Sequence, residues 1–176
     1  MQLIQHPTNP LRALTAACAL AAAMSGAWAQ GSSTFSVKLM TPETALSAAR
    51  AALEDCRRQG YQVTVAVVDR FGIVQVVLRD RFAGPHTVGV ASDKAWTAAS
   101  FRIASAALAE ETQAGKPMSA LRTHPHVLAA GGGQVIESAG SLLGAIGVSG
   151  APGGDADDSC ARAGVRAIAD ALELQG

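Results

Sequence analysis

Two stretches of the sequence each contain a pair of β-branched runs separated by a short turn. This feature constrains the fold more than any other. The first is rich in β-branched residues and runs from Tyr61 to Asp69, with a return over Ile73–Arg79. The second opens at Gly131-Gly132-Gly133 and comprises Gln134–Glu137 and Leu142–Val148. Such runs, separated by short turns, predict two antiparallel hairpins. Because strands and helices do not alternate singly, a Rossmann-type fold is excluded.

Helical patterns lie between the two hairpins and on either side of them. In Thr41-Pro42-Glu43, a capping hydroxyl precedes a Pro at the first helical position and an acid near the positive end of the helix dipole. This start predicts a helix that Gly60 ends. Further helices are predicted over Val88–Ile103 and Ser105–Ala114, and a last one begins near Asp155. The predicted fold is therefore α+β, with an antiparallel sheet flanked by helices.

The first 29 residues have the layout of a secretory signal peptide. Arg12 supplies the positive charge, Ala13–Ala23 is nearly all apolar, and Ala27-Trp28-Ala29 is a small-x-small cleavage motif. The apolar stretch is too short to span a bilayer of about 30 Å, and we expect no membrane span elsewhere. We therefore expect cleavage after Ala29 and a periplasmic or secreted protein.

The rest of the chain is predicted to form one domain. Residues 30–40 begin with a Ser/Gly-rich stretch and are predicted to be a flexible tail, and residues 41–176 form the domain. The net charge is zero, with 14 Lys+Arg against 14 Asp+Glu, which excludes a nucleic-acid binder driven by bulk charge. Aromatic residues make up only 4% of the chain, which disfavours a platform for stacked bases.

Two of the three cysteines remain after the predicted cleavage. Cys18 leaves with the signal peptide, whereas Cys56 and Cys160 stay in the exported chain. An even pair in an exported protein predicts a disulfide, and two buried thiols are the alternative. The wide spacing does not match a thioredoxin-like or zinc-knuckle motif.

Histidines and cations are the candidate binding residues. His124-Pro125-His126 could supply two metal ligands, but zinc would need a third, and His86 is the remaining candidate on another loop. Three cations could hold carboxylates through charge-assisted bonds, namely Lys94, Arg102 and Arg122. The chain has no G-x-S-x-G nucleophile motif, and its Gly-rich turn lacks the lysine of a P-loop.

Five stretches together resemble the GlcG/HbpS-like family, whose members include heme-binding proteins. They are Val65–Asp69 with the turn that ends at Gly72, Ala83–Thr87, Lys94–Arg102, Gly131–Gly133 and Gly144–Asp155. The resemblance covers about Met40 to Leu172. It implies a profilin-like sandwich that often assembles into homo-oligomers. It also implies that the first and last helices pack side by side, which would bring Cys56 and Cys160 together.

The resemblance implies an exported heme-binding protein that sequesters, stores or helps to sense heme. The positions within the matching stretches that could contact the ligand are Asp69, His86, Lys94 and Arg102. For the heme iron, the alternative ligands are His86, His124 and His126.

Two alternatives to heme binding stay open at this point. One is an enzyme or carrier acting on a small carboxylate, with His86 as general acid or base and Lys94 or Arg102 as the anchor. The other is an oligomeric accessory protein without a small ligand.

Overall fold

A computed structural model describes residues 32–174. The predicted signal peptide and the first residues of the predicted tail lie outside the described residues. The chain divides into a unit that ends at Ser36 and a second unit that starts at Val37. Of the first unit, the structure describes residues 32–36, which are exposed. No helix in the described part of the chain has both the length and the apolar character needed to cross a bilayer.

The second unit contains the predicted order of helix, hairpin, helices, hairpin and helix. Its elements are α1 (Pro42–Arg58), β1 (Thr64–Asp69), β2 (Val74–Arg79), α2 (Thr87–Phe101), α3 (Ser105–Glu111), a 3₁₀ turn (Ser119–Thr123), β3 (Gly133–Ser138), β4 (Ser141–Ser149) and α4 (Gly154–Glu173). The α+β fold predicted from the sequence is therefore confirmed.

The first helix begins and ends where the sequence predicts. The Thr41 hydroxyl accepts a hydrogen bond from the backbone N–H of Thr44 at 3.3 Å, and Pro42 follows in the first turn. After Arg58, Gly60 adopts a φ of +83°, a conformation that costs other residues energy. These residues therefore fix the length of α1 locally.

The four strands form one antiparallel sheet in the order β2-β1-β4-β3. The first strand starts at Thr64, three residues later than predicted, because the N–H of Tyr61 still bonds to the carbonyl of Cys56 at the end of α1. The second starts at Val74 because Ile73 is used in the turn, where its N–H bonds to the Asp69 carboxylate. The two hairpins meet through β1 and β4, which lie at the centre of the sheet.

Helices cover both faces of the sheet. On one face, α1 and α4 pack over Val65, Val67 and Ile146 in the main apolar core. On the other face, α2 packs its Ala residues against Val68 and Ala145. This arrangement is the predicted sandwich of an antiparallel sheet between helices.

Small residues allow α2 to approach the sheet closely. A Cβ atom at Gly147 would collide with the carbonyl oxygen of Ala91 and would lie 2.7 Å from the nitrogen of Ala95. Since buried atoms are packed as tightly as in organic crystals, that site has no room for a side chain. Ala, Val, Leu and Ile therefore make up most of the core, in keeping with the low aromatic content of the chain.

A disulfide joins the end of α1 to the start of α4. Cys56 and Cys160 are both fully buried, and their Cα atoms are 5.5 Å apart. The bond links residues 104 positions apart in the sequence and holds the two adjacent helices together. The predicted pairing is therefore present in the structure.

Candidate functional site

Three loops converge at one end of the sheet and line a cavity of about 480 Å³. They are the loop before β1, the loop between β2 and α2, and the loop between β4 and α4. Because β1 lies between β2 and β4, the start of β1 and the ends of its two neighbours meet at this edge. The side chains that line this cavity include Tyr61, Gln62, Phe82, His86, Pro152 and Asp157.

His86 stands at the N-terminus of α2, on the wall of this cavity. The next residue fixes the turn, because the buried Thr87 hydroxyl lies 2.6 Å from the Gly84 carbonyl and 2.7 Å from the Thr64 hydroxyl. The exposed His86 ring lies over Gly84. A Cβ atom added to Gly84 would lie 2.8 Å from Nδ1 of this ring but 3.7 Å from its Nε2. The glycine therefore sets the position of an imidazole that can reach a ligand.

A buried ion pair lies beside the cavity. The ammonium of Lys94 donates to the Asp157 carboxylate at 2.7 Å and to the Val148 carbonyl at 3.0 Å, and both charged side chains are only 5% exposed. Burial raises the pKa of Asp157, and the hydrogen bond from Lys94 opposes that rise. The other oxygen of Asp157 accepts from the N–H of Ala151 at 3.0 Å. The pair therefore holds the loop between β4 and α4 in place.

The cavity also has apolar walls and one polar group without a partner. Tyr61, Phe82 and Pro152 line it, and Phe82 is 79% exposed. The side-chain oxygen of Gln62 is buried and has no hydrogen-bond partner among the described residues. Because buried acceptors normally have a hydrogen-bond partner, this oxygen is an exception in the packing beside the cavity.

The other two histidines lie elsewhere, beside the middle of α2. His124 stacks on Trp96, with ring centroids 5.5 Å apart and ring planes 8° from parallel. The Nδ1 atom of His126 lies 3.2 Å from the Asp93 carboxylate. The structure therefore does not bring these two rings to the cavity where His86 lies.

The remaining predicted contacts are also distant from the cavity. Asp69 caps the turn after β1, where its carboxylate accepts from the N–H groups of Phe71 and Ile73 at 2.8 and 3.0 Å. Arg102 follows the last residue of α2 in a left-handed conformation, with φ of +56°. Sixteen residues separate it from His86, which is about 24 Å along a helix. Arg122 donates to the carbonyls of Thr112 and Ala109.

Sequence reasoning missed most of the lining of the cavity. Tyr61, Gln62 and Phe82 belong to loops whose proximity depends on the strand order. The predicted start of a last helix near Asp155 did not identify Asp157, in the same helical turn, as a residue of the cavity. Its position in the first turn of α4, five residues after Pro152, was the available indication of a carboxylate that holds the preceding loop.

The chain matches a family model described as haem degrading protein HbpS-like over residues 40–166. A crystal structure of a double mutant of Streptomyces reticuli HbpS is 37% identical, with a TM-score of 0.74, and the match covers 82% of this chain and 97% of that chain. A crystal structure of a PduOC:heme complex is 28% identical, with a TM-score of 0.71, covering 74% of this chain and 96% of the other.

A curated relative is a much longer protein. The corrinoid adenosyltransferase PduO of Salmonella typhimurium is 33% identical over 103 residues, which are 57% of this chain. The matching region spans only 31% of PduO.

Proposed function

Because this chain belongs to the HbpS-like family, we propose that it binds heme in the cavity beside α2, with His86 as the ligand of the iron. The observation that carries the proposal is a turn-fixed imidazole on the wall of a cavity of about 480 Å³, within the range of small-molecule sites. The related PduOC structure is described as a heme complex. Bound heme would supply an iron centre that the neutral imidazole of His86 would hold.

The residues of the cavity fit such a group. Tyr61, Phe82 and Pro152 offer apolar surface to a porphyrin face, and the exposed ring of Phe82 would lose solvent contact on binding. Gly84 holds the Nδ1 side of the His86 ring, which leaves Nε2 as the nitrogen for iron.

The buried ion pair favours heme over a small carboxylate. A carboxylate substrate would need a cation in the cavity, but the ammonium of Lys94 is 5% exposed and already bonded to Asp157. Among the described residues, neither Lys94 nor any other Lys or Arg lines the cavity. Heme could instead be held by His86 and by the apolar side chains of Tyr61, Phe82 and Pro152, so its binding does not require Lys94.

Replacement of His86, the proposed ligand of the iron, should abolish the Soret shift that heme binding produces. Hemin added to wild-type protein should give a saturable Soret shift, and His86→Ala should lose it because no other imidazole lines the described cavity. His126→Ala is the matched control and should retain the shift. Gly84→Ala should weaken binding, since the new Cβ would lie 2.6 Å from Cε1 of the ring and displace it.

Two results would contradict this assignment. One is an unchanged Soret shift in His86→Ala. The other is a loss of the shift in His124→Ala or His126→Ala while His86→Ala binds normally, which would place the iron beside Trp96 instead.

We propose further that the protein works outside the cytoplasm. The support is the signal-peptide layout of the first 29 residues and the disulfide, which is typical of oxidising compartments. The intact mass of protein from the periplasm or medium should correspond to a chain that starts at Gln30. Soluble exported protein that retains Met1 would contradict the proposal.

A further inference from the structure

His124 and His126 form a surface cluster with Trp96 and Asp93 that the proposed heme site does not use. The ring of His126 lies 5.6 Å from that of Trp96 and 6.4 Å from that of His124, measured between centroids. The indole itself packs on Gly72, where a Cβ would lie 2.8 Å from its Cδ1 atom. Trp96 is therefore a fixed surface on which the parallel His124 ring lies.

The segment that carries the two histidines is tied to α2. The hydroxyl of Thr97 donates to the His126 carbonyl at 3.2 Å and accepts from the N–H of Leu128 at 2.9 Å. The N–H of Val127 donates to the His124 carbonyl at 3.1 Å. These bonds order the loop before any ligand arrives, which lowers the entropy cost of binding.

Each imidazole has its Nδ1 atom engaged. For His126, the partner of Nδ1 is the Asp93 carboxylate at 3.2 Å, an arrangement that places the proton on Nδ1 and leaves the Nε2 lone pair free. For His124, Nδ1 lies 3.4 Å from the backbone nitrogen of His126. If a metal bound Nε2 of His124, the ring proton would move to Nδ1, and only this long contact would be lost.

We propose that His124 and His126 bind a divalent first-row transition-metal ion through their Nε2 atoms, with Cu²⁺ held most tightly. With metal–nitrogen bonds of about 2.0–2.1 Å, two imidazole centroids on one ion lie roughly 4.5–6.5 Å apart, and the separation is greatest when the rings lie on opposite sides of the ion. The observed separation of 6.4 Å lies at that upper end. Imidazole suits Cu²⁺, which stands highest in the affinity order of these ions. Asp93 is a positioning residue that orients the His126 ring.

The site is an open one. Residues 32–174 contain no cluster of three or more His, Cys, Asp or Glu side chains that could hold a metal. Water would therefore complete the coordination, and the ion would exchange readily. This proposal is independent of heme binding, because it uses neither His86 nor the cavity.

Trp96 provides a direct test, since a Cu²⁺ ion on the adjacent imidazoles would quench its fluorescence. The sequence has two tryptophans, so the untagged full chain with Trp28→Phe reports on Trp96 alone. Titration with CuCl₂ should quench the emission with saturation at one ion per chain. The double variant His124→Ala/His126→Ala should lose this quenching, and Asp93→Asn should weaken Cu²⁺ binding by about tenfold or more.

The controls separate this site from the other histidines. When His6→Ala or His86→Ala is added to the Trp28→Phe chain, Cu²⁺ should quench the fluorescence as it does without the added change. The double variant His124→Ala/His126→Ala should keep its Soret shift with hemin. Electron paramagnetic resonance should show hyperfine coupling to two imidazole nitrogens. Quenching that does not saturate, or that persists in the double variant, would overturn the proposal, and so would a spectrum with oxygen ligands only. An unchanged affinity in Asp93→Asn would overturn the role given to Asp93.

Discussion

Replacement of both Cys56 and Cys160 by Ala lowers the free energy of unfolding by about 4–5 kcal/mol. The disulfide links residues 104 positions apart, so its loss frees a long loop in the unfolded chain. For a loop of roughly 100 residues, the chain-entropy model gives about 4.7 kcal/mol at 25 °C. Native domains are only marginally stable, with free energies of unfolding of about 5–15 kcal/mol. The expected loss is therefore a large share of the total stability.

Urea unfolding of the exported protein measures this loss. Wild type under non-reducing conditions is compared with Cys56→Ala/Cys160→Ala. The double variant should unfold at a much lower urea concentration than wild type. A loss below about 1 kcal/mol would show that the bond does not constrain the unfolded chain as the entropy model requires.

Lys94→Met should destabilise the fold by about 3–5 kcal/mol, because it leaves the buried Asp157 carboxylate without its charged partner. The matched variant Lys94→Met/Asp157→Asn removes both charges and retains an acceptor for the Ala151 N–H. It should therefore recover most of the lost stability. Equal stability of the two variants would contradict the account of the ion pair.

The loss in Lys94→Met should also depend on pH. Burial raises the pKa of Asp157 in the folded chain above its ordinary value of 3.8. The folded state of the variant therefore binds a proton more readily than the unfolded state. The loss of stability of Lys94→Met relative to wild type should be complete above the raised pKa of Asp157. It should shrink as the pH falls through that pKa. Thermal unfolding at a series of pH values measures the change, and a deficit that grows on acidification would contradict it.

Local chemistry made much of the fold predictable. The hydroxyl of Thr41, the ring of Pro42 and the absence of a side chain at Gly60 act within a few residues, so they mark the ends of α1 without knowledge of the tertiary structure. The hairpins follow from β-branched runs on either side of turns. Strand ends were less certain, because Tyr61 continues the hydrogen bonding of the preceding helix rather than that of the sheet.

The site was less predictable, because it depends on which loops meet. Lys94 lies in a helix with Ala on several sides, so the sequence does not show which face is buried or that Asp157 supplies its partner. Sequence reasoning assigned Trp96 to a helix by its spacing, but the stacking on His124 requires the loop after α3 to return to α2. Of the four candidate contacts that lie within the matching stretches, His86 alone lines the cavity in the described part of the chain.

A hemin titration of the untagged exported protein, followed at the Soret band, tests the central claim most directly. The proposed binding predicts a saturable red or blue shift of the band with one heme per chain in wild type, and no such shift in His86→Ala. A linear rise without saturation in wild type, equal to that of free hemin, would contradict heme binding by this chain.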